Sequence, residues 1–156
     1  MGRFSVEKNQ CFIVDIFKEI HDSNSDSKLV LVGDGQLRCK IEKKIIELGL
    51  KDDVILTGKR TDVSAILSAL DLFIMPSIFE GTPVSAIEAR TSGLMCLLSD
   101  TITKSVNMKG MKYISIKQSS KFWADEVNSL LQKSKKNNRY DFSDVVKCGF
   151  DIGVEV

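Results

Sequence analysis

The sequence has little of what marks several other classes of protein. Its 156 residues include 22 basic and 21 acidic side chains, so the net charge is +1 and no overall field attracts nucleic acid. No apolar run reaches membrane-spanning length, and no secretory signal pattern is present. The composition therefore predicts a cytoplasmic protein that does not bind nucleic acid.

Patterns for disulfide frameworks and metal sites are missing as well. Cys11, Cys39, Cys96 and Cys148 lie far apart without a C-x-x-C pair. The only histidine, His21, has no neighbour at ligand spacing. We therefore expect reduced and mostly buried thiols, as in cytosolic proteins, and we place His21 at the end of a helix.

Strand-like and helix-like segments alternate along the chain. Hydrophobic residues make up 43% of the sequence, enough for the core of one domain. Alternation at short spacing predicts parallel β-α units with right-handed crossovers. We therefore expect a single Rossmann-like three-layer α/β/α domain over residues 1–156, built on a parallel sheet. The expected strands are a strand end at 1–4 and strands at 28–32, 54–57, 71–76, 94–98 and 111–116, and the expected helices cover 7–20, 37–48, 62–70, 82–93, 122–131 and 141–148.

One strand–loop–helix segment carries the candidate chemistry. The apolar run 71–76 predicts a buried strand, and a helix is expected to begin near residue 82. A helix N-terminus offers unpaired N–H groups to an anion, whereas carboxylates repel phosphate and accept hydrogen bonds from hydroxyls. Two carboxylates flank this helix start, which favours a ligand with phosphate and hydroxyl groups, such as a nucleotide sugar. The segment contains Glu80 and Gly81 in the loop, Thr82 as the N-cap, Pro83 as the first helical residue and Glu88 inside the helix.

This segment resembles the E-x7-E motif of the retaining GT-B glycosyltransferases called group 1 or family 4, and most closely the bacterial capsular and exopolysaccharide branch. Two carboxylates alone would be a weak signal, but other blocks of that family follow in the same order. These blocks are 2–5 with Lys8-Asn9, 29–35, 54–58, 99–104 and 149–152. The resemblance covers essentially the whole chain and implies the C-terminal, donor-binding half of a GT-B enzyme.

The resemblance implies that four basic residues contact the donor. Arg3 and Lys8 match the family's arginine and lysine that bind the diphosphate, the leaving group on which negative charge builds. Either one alone could be an ordinary surface cation, but both fit the pattern G-R-x-x-x-x-K-N that begins at Gly2. Lys59 and Arg60 follow a strand end where this family lines the nucleobase pocket.

The same resemblance implies a different role for each of the two carboxylates. Glu88 is expected to accept hydrogen bonds from both ribose hydroxyls, and Glu80 to hold the hydroxyls of the transferred sugar near the reacting carbon. The backbone N–H groups of Gly81 and Thr82 are expected to complete the diphosphate site. For Glu80 the structural alternative is that it only caps the following helix. We expect a UDP-sugar donor and no metal or other cofactor.

The turn Gly33-Asp34-Gly35 allows two interpretations. A G-x-G after a strand could begin a dinucleotide fingerprint, but Arg38 stands at the third glycine position and no acidic residue ends the next strand. We therefore favour a tight strand-to-helix turn.

The resemblance also implies a partner domain. Enzymes of this type bind their saccharide or lipid-linked acceptor with an N-terminal domain that has no counterpart in these residues. We therefore expect the isolated chain to be inactive in transfer, and the full enzyme to associate peripherally with the inner face of the membrane. Two other functions stay open, namely a non-catalytic Rossmann-like nucleotide-binding module and a fragment of a GT-B sugar-nucleotide epimerase.

Overall fold

A computed structural model describes residues 1–103 and 107–136. The predicted helix at 141–148, the family block at 149–152 and residue 104 of the block at 99–104 lie outside the described residues. Within them, helices and strands follow one another in the predicted order, apart from the strand end expected at 1–4. In chain order these are α1 (Gln10–Ser23), β1 (Leu29–Val32), α2 (Arg38–Glu47), β2 (Val54–Gly58), α3 (Val63–Ser68), β3 (Leu72–Met75), α4 (Val84–Thr91), β4 (Met95–Ser99), β5 (Met111–Ile114) and α5 (Ser120–Lys136).

In the described part of the chain the strands form two sheets, and neighbouring strands within each sheet run parallel. β1 pairs with β2, and β3, β4 and β5 pair in that order. The register places Leu29 opposite Val54 in the first sheet and Leu72 opposite Met95 in the second. Parallel strands linked by helices confirm the predicted α/β class.

Helices cover both faces of the second sheet. Along β3, Phe73 and Met75 pack into the core formed with α3 and α4. The alternate residues Leu72 and Ile74 pack against the core formed with α1 and α5. Because successive side chains of a strand point to opposite faces, this division gives the three layers predicted from the sequence.

The N-terminal segment differs from the prediction. Residues 1–4 are not a strand; instead the Gly2 N–H donates to the Val32 carbonyl at 2.9 Å and the Phe4 N–H to the Asp34 carbonyl at 3.0 Å. The segment therefore runs beside the carboxyl end of β1 and the turn that follows it. Helix α1 begins at residue 10 and not at residue 7, because Asn9 adopts a left-handed backbone conformation with φ of 55°.

The same segment lines a small cavity together with residues of both sheets. Met1 and Phe4 share a narrow cavity with Val32 of β1 and Met75 of β3. No hydrogen-bonded strand pair joins β1 to β3 in the described part of the chain. The single sheet expected from the sequence is therefore divided at this point.

The turn after β1 is built for close backbone approach. A Cβ at Gly33, where φ is 132°, would lie 1.9 Å from the Gly2 carbonyl oxygen, and one at Gly35 would lie 2.5 Å from that of Phe4. Only glycine can occupy positions so close to a neighbouring backbone. The structure thus agrees with the tight-turn interpretation of this motif.

His21 lies at a helix end as predicted, but the expectation of mostly buried thiols is not met: of the described cysteines only Cys96 is buried, whereas Cys11 is partly exposed and Cys39 is exposed. Cys11, Cys39 and Cys96 are free thiols, and burial raises the pKa of the Cys96 thiol to about 12. His21 lies in the last turn of α1, with Nε2 3.0 Å from Asp53 Oδ2.

Between residues 1 and 136, leaving out 104–106, no helix is long and apolar enough to cross a membrane.

Candidate functional site

The carboxyl ends of β1, β2 and β3 open on one cleft of about 1340 Å³. Its walls come from the N-terminal segment, the turns after β1 and β2, the loop after β3 and the first turns of α4. Ligands of parallel α/β sheets bind at this edge. Eight of the nine predicted site residues line the cleft: Gly2, Arg3, Lys8, Lys59, Arg60, Glu80, Thr82 and Glu88.

The ninth predicted residue, Gly81, lies between two lining residues but is not itself part of the wall. Helix α4 also begins one residue later than predicted. Pro83 is the N-cap, with ψ of 68°, and Thr82 makes no side-chain cap bond. Because this ψ is not helical, the carbonyl of Pro83 accepts the first helical hydrogen bonds, from the N–H groups of Ala86 and Ile87.

Lys8 and Glu80 form an ion pair in the cleft. The ammonium Nζ of Lys8 contacts Oε1 of Glu80, and the two side chains are 24% and 13% exposed. Gly2 leaves room for this lysine, since a Cβ at that residue would lie 3.3 Å from Lys8 Cε. Sequence reasoning had assigned these two residues to different parts of a ligand. The structure places their charges in direct contact.

The loop that carries Glu80 is held against the loop before α1. The Ile78 N–H donates to the Glu7 carbonyl at 2.8 Å, and Asn9 Nδ2 donates to the Pro76 carbonyl at 3.2 Å. The blocks at 2–9 and 76–83 are therefore joined by hydrogen bonds, although nearly 70 residues separate Asn9 from Pro76.

Arg3 is exposed at the rim of the cleft, and its backbone is anchored. Gln10 Nε2 donates to the Arg3 carbonyl at 2.8 Å, which fixes the start of the guanidinium-bearing side chain. A hydrogen bond from Ser5 lowers the pKa of the Glu7 carboxyl, and the charge of Arg3 lowers it further. The rim of the cleft thus contains an ionised carboxylate close to the arginine.

Lys59 and Arg60 both lie at the cleft, but the arginine is already engaged. Its Nε and Nη2 donate to the two carboxylate oxygens of Asp62 at 2.8 and 2.6 Å. This fork raises the pKa of Arg60 and lowers the pKa of Asp62. A contact from the Arg60 side chain to a ligand would have to compete with that pair.

The amino group of Met1 is enclosed at the base of the cleft, next to Lys8. Its pKa is lowered from the usual 8.0 to about 6, mainly by burial and next by the positive charge of Lys8. Glu80 and Glu88 act in the opposite direction. This amine therefore loses its proton more readily than an exposed one does.

Several lining residues had not been predicted: Ser5, Glu7, Asp34, Gln36, Val63 and Ser85. Two of them could have been found from their sequence positions. Asp34 follows the end of β1, where ligands of parallel sheets bind, and Ser85 lies in the first turn of α4. The other four line the cleft because of the tertiary fold, and their positions in the sequence do not indicate it.

The arrangement suits an anionic ligand that also carries hydroxyl groups. Arg3, Lys8 and Lys59 supply cations, and Glu88 is an exposed carboxylate on α4. The start of α4 adds N–H groups without intrahelical partners. Fold and site together define a Rossmann-like domain with a polar cleft at the carboxyl ends of its strands.

Comparison with known proteins gives the family. The profile described as "Glycosyl transferases group 1" matches residues 1–142, and the chain belongs to this family. It is 28% identical over 153 residues to the glycosyltransferase EpsF of Bacillus subtilis (strain 168), which covers 97% of this chain and 40% of that protein. It is 36% identical over 103 residues to a UDP-Gal:alpha-D-GlcNAc-diphosphoundecaprenol alpha-1,3-galactosyltransferase of Escherichia coli, which covers 64% of this chain and 27% of that protein.

Solved structures agree on the fold. The C-terminal domain of the group 1 protein LpcC from Francisella tularensis matches with a TM-score of 0.75 at 21% identity, over 95% of this chain and 80% of that one. Anabaena Alr3699/HepE in complex with UDP and glucose also matches with a TM-score of 0.75, at 20% identity, over 94% of this chain and 45% of that one. The chain spans less than half the length of the two curated relatives named above.

Proposed function

We propose that this chain is the donor-binding domain of a retaining glycosyltransferase of family 4, in the branch that builds cell-surface polysaccharides. It binds a UDP-sugar, and the whole enzyme moves the sugar to a saccharide or lipid-linked acceptor. The observation that carries this proposal is that Arg3, Lys8, Glu80 and Glu88, which come from three separate segments, line one cleft.

The cations bind the diphosphate of the donor. As the bond to the sugar breaks, negative charge grows on the leaving UDP, and Arg3 and Lys8 stabilise that charge. The N–H groups of Gly81 and Thr82 and the start of α4 add further donors. With this set of donors, the diphosphate is bound without a metal ion or another cofactor.

The carboxylates bind the hydroxyl groups on either side of the diphosphate. Glu88 is exposed on α4 and accepts hydrogen bonds from the ribose hydroxyls. Glu80 lies deeper and accepts from the transferred sugar. This order places the nucleoside along α4 and the reacting carbon beside the Lys8–Glu80 pair.

The rest of the enzyme would hold the acceptor. Names of relatives support this division, since one of them acts on a diphosphoundecaprenol-linked sugar and this chain covers 27% of it. Positioning of two reactants can lower an activation barrier by on the order of 7–11 kcal/mol. Without a domain that positions the acceptor, a donor bound to this chain alone transfers no sugar at an appreciable rate. A lipid-linked acceptor would place the full enzyme in the cytoplasm, at the inner face of the membrane.

Calorimetry tests the proposal on the chain as it exists. UDP, uridine and UDP-glucose are titrated in the presence of EDTA, and UDP is expected to bind more tightly than uridine. Arg3→Ala removes hydrogen bonds to a charged group and should weaken UDP binding by about 1–3 kcal/mol, or roughly 5–150-fold. Lys121→Ala, an exposed cation on α5 outside the cleft, is the matched control.

A second variant separates this function from a general anion site. Glu88→Ala should weaken UDP and UDP-glucose alike, because both contain the ribose, and should not weaken the binding of inorganic pyrophosphate. Equal affinity of the wild-type chain for UDP and uridine would exclude a diphosphate site and with it the proposed function. Transfer of labelled sugar by this chain alone would show that the acceptor site also lies within it, contrary to the division proposed above.

A further inference from the structure

Glu80 is held by a cluster of three hydroxyl groups that has no assigned role; Ser77 and Ser99 are buried, and Thr101 is exposed. Ser77 is fully buried at the start of the loop after β3, and its Oγ donates to Glu80 Oε1 at 3.2 Å. The carbonyl of Ser77 in turn accepts from two hydroxyls, Ser99 Oγ at 2.5 Å and Thr101 Oγ1 at 2.8 Å. The cluster therefore links the end of β4 to the carboxylate in the cleft.

Counting donors and acceptors fixes the direction of the hydrogen bonds in the cluster. Each hydroxyl has a single proton to donate. The Ser99 proton goes to the Ser77 carbonyl, and Thr101 shares its proton between that carbonyl and Ser99 Oγ, which lies 3.0 Å away. The proton of Ser77 is then available for Glu80. Because the acceptor capacity of the Ser77 carbonyl is used by two donors, its peptide is fixed in one orientation.

A second contact holds the backbone of Glu80 to the same turn. The Glu80 carbonyl accepts from the Thr103 N–H at 3.3 Å, and Glu80 forms a parallel bridge with Ile102. Both the side chain and the backbone of this glutamate are thus held by the segment that follows β4. Each contact to its carboxylate from the described residues falls on Oε1. Oε2 is therefore the oxygen that remains for a ligand.

We propose that Ser77 is a positioning residue for Glu80, and that Ser99 and Thr101 fix Ser77 through its carbonyl so that Oε2 of Glu80 points at the transferred sugar. This inference rests on the proposed function. It deepens that function by assigning recognition of the sugar, as distinct from recognition of UDP, to a hydroxyl cluster outside the cleft wall. In the absence of the cluster, Glu80 keeps its charge and its contact with Lys8 but loses a defined orientation.

The test compares a sugar nucleotide with UDP, because structural damage would affect the binding of both. The probe is whichever of UDP-glucose, UDP-galactose and UDP-N-acetylglucosamine stabilises the wild-type chain most in a thermal-shift assay. Ser77→Ala and Thr101→Val should each lower the affinity for that probe by about five- to tenfold and leave UDP affinity within about twofold. Thr101→Ser, which keeps the hydroxyl, should restore wild-type affinity. Ser23→Ala removes a hydroxyl at the end of α1, outside the cleft, and serves as the control.

A double-mutant cycle identifies Glu80 as the group through which the cluster acts. In a Glu80→Gln background, Ser77→Ala should cause no further loss of preference for the sugar nucleotide. An equal loss in both backgrounds, or an equal loss of UDP binding, would overturn the positioning role in favour of a purely structural one. If the wild-type chain binds UDP and the sugar nucleotide but none of the hydroxyl variants differs from it, this inference is wrong and the proposed function stands. If the wild-type chain binds neither compound, both are wrong.

Discussion

Neutralising Glu80 should strengthen the binding of free UDP, although Glu80 is part of the proposed site. Lys8, which we assign to the diphosphate, is already paired with this carboxylate, and both side chains are more than three-quarters buried. A diphosphate entering the cleft must compete with Glu80 for the ammonium group and also meets its negative charge. Glu80→Gln removes both effects and keeps the shape of the side chain.

The magnitude follows from the environment of the pair. Exposed ion pairs contribute about 0.2–1 kcal/mol, and breaking a buried pair costs about 3–5 kcal/mol. For this partly exposed pair we take about 1–2 kcal/mol, which corresponds to roughly 5–30-fold tighter UDP binding. A sugar nucleotide gains the same amount but loses the hydrogen bond from its sugar to the carboxylate. Its affinity should therefore change little, and the preference for the sugar nucleotide over UDP should fall.

Calorimetric titration of UDP and UDP-glucose into wild type and Glu80→Gln measures both changes. Glu47→Gln removes a carboxylate of α2 outside the cleft and controls for the change in net charge. The effect should shrink at high salt, because it is largely electrostatic. Unchanged or weaker UDP binding by Glu80→Gln, with Glu47→Gln at wild-type affinity, would refute the competition for Lys8.

Two further predictions concern stability. Gly33→Ala places a Cβ against the Gly2 carbonyl and should lower the free energy of unfolding by more than about 3 kcal/mol, as measured by urea denaturation. Gly49→Ala has open space around its Cβ and should lower the free energy of unfolding by less. An equal loss of stability in the two variants would contradict the close approach at Gly33. The second prediction concerns the Met1 amine, in a chain whose retained Met1 is verified by mass. Its pKa is about 6 in the folded state and 8.0 in the unfolded state, so between pH 6 and pH 8 the unfolded state binds more protons. The free energy of unfolding should therefore rise with pH across this range, by about 3 kcal/mol in all. N-terminal acetylation should remove this pH dependence, and an unaltered profile after acetylation would assign it to another group.

Much of the fold could be predicted from local sequence alone. Apolar runs gave the positions of the strands at 29–32, 54–58, 72–75, 95–99 and 111–114 to within about two residues. Such runs are reliable because a strand covered by helices on both faces must be apolar on both sides. Helix starts were less well predicted: α1 and α4 each begin later than expected. In both cases the dihedral angles of one residue, Asn9 and Pro83, delay the first helical hydrogen bond.

Part of the cleft lining could also be predicted from the sequence. The carboxyl ends of parallel strands lie at one edge, so residues that follow different strands meet there regardless of their separation in the chain. This rule and the family resemblance together predicted nine site residues, and eight of them line the cleft. The roles assigned to them remain predictions that the titrations above address.

The sequence by itself determined the alternation of strands and helices, the chemistry of the side chains at the strand ends and the glycines of the turn after β1, because these depend on residue type and local spacing. Only the tertiary structure decided which charges are paired. Lys8 contacts Glu80 and Arg60 contacts Asp62, whereas spacing alone would leave every one of these groups open to a ligand. Ser77 gave no signal in the sequence, and its importance appears only where Ser99 and Thr101 fold against its carbonyl. Apart from the local Arg60–Asp62 pair, these contacts join residues that are far apart in the chain, and no local pattern specifies them.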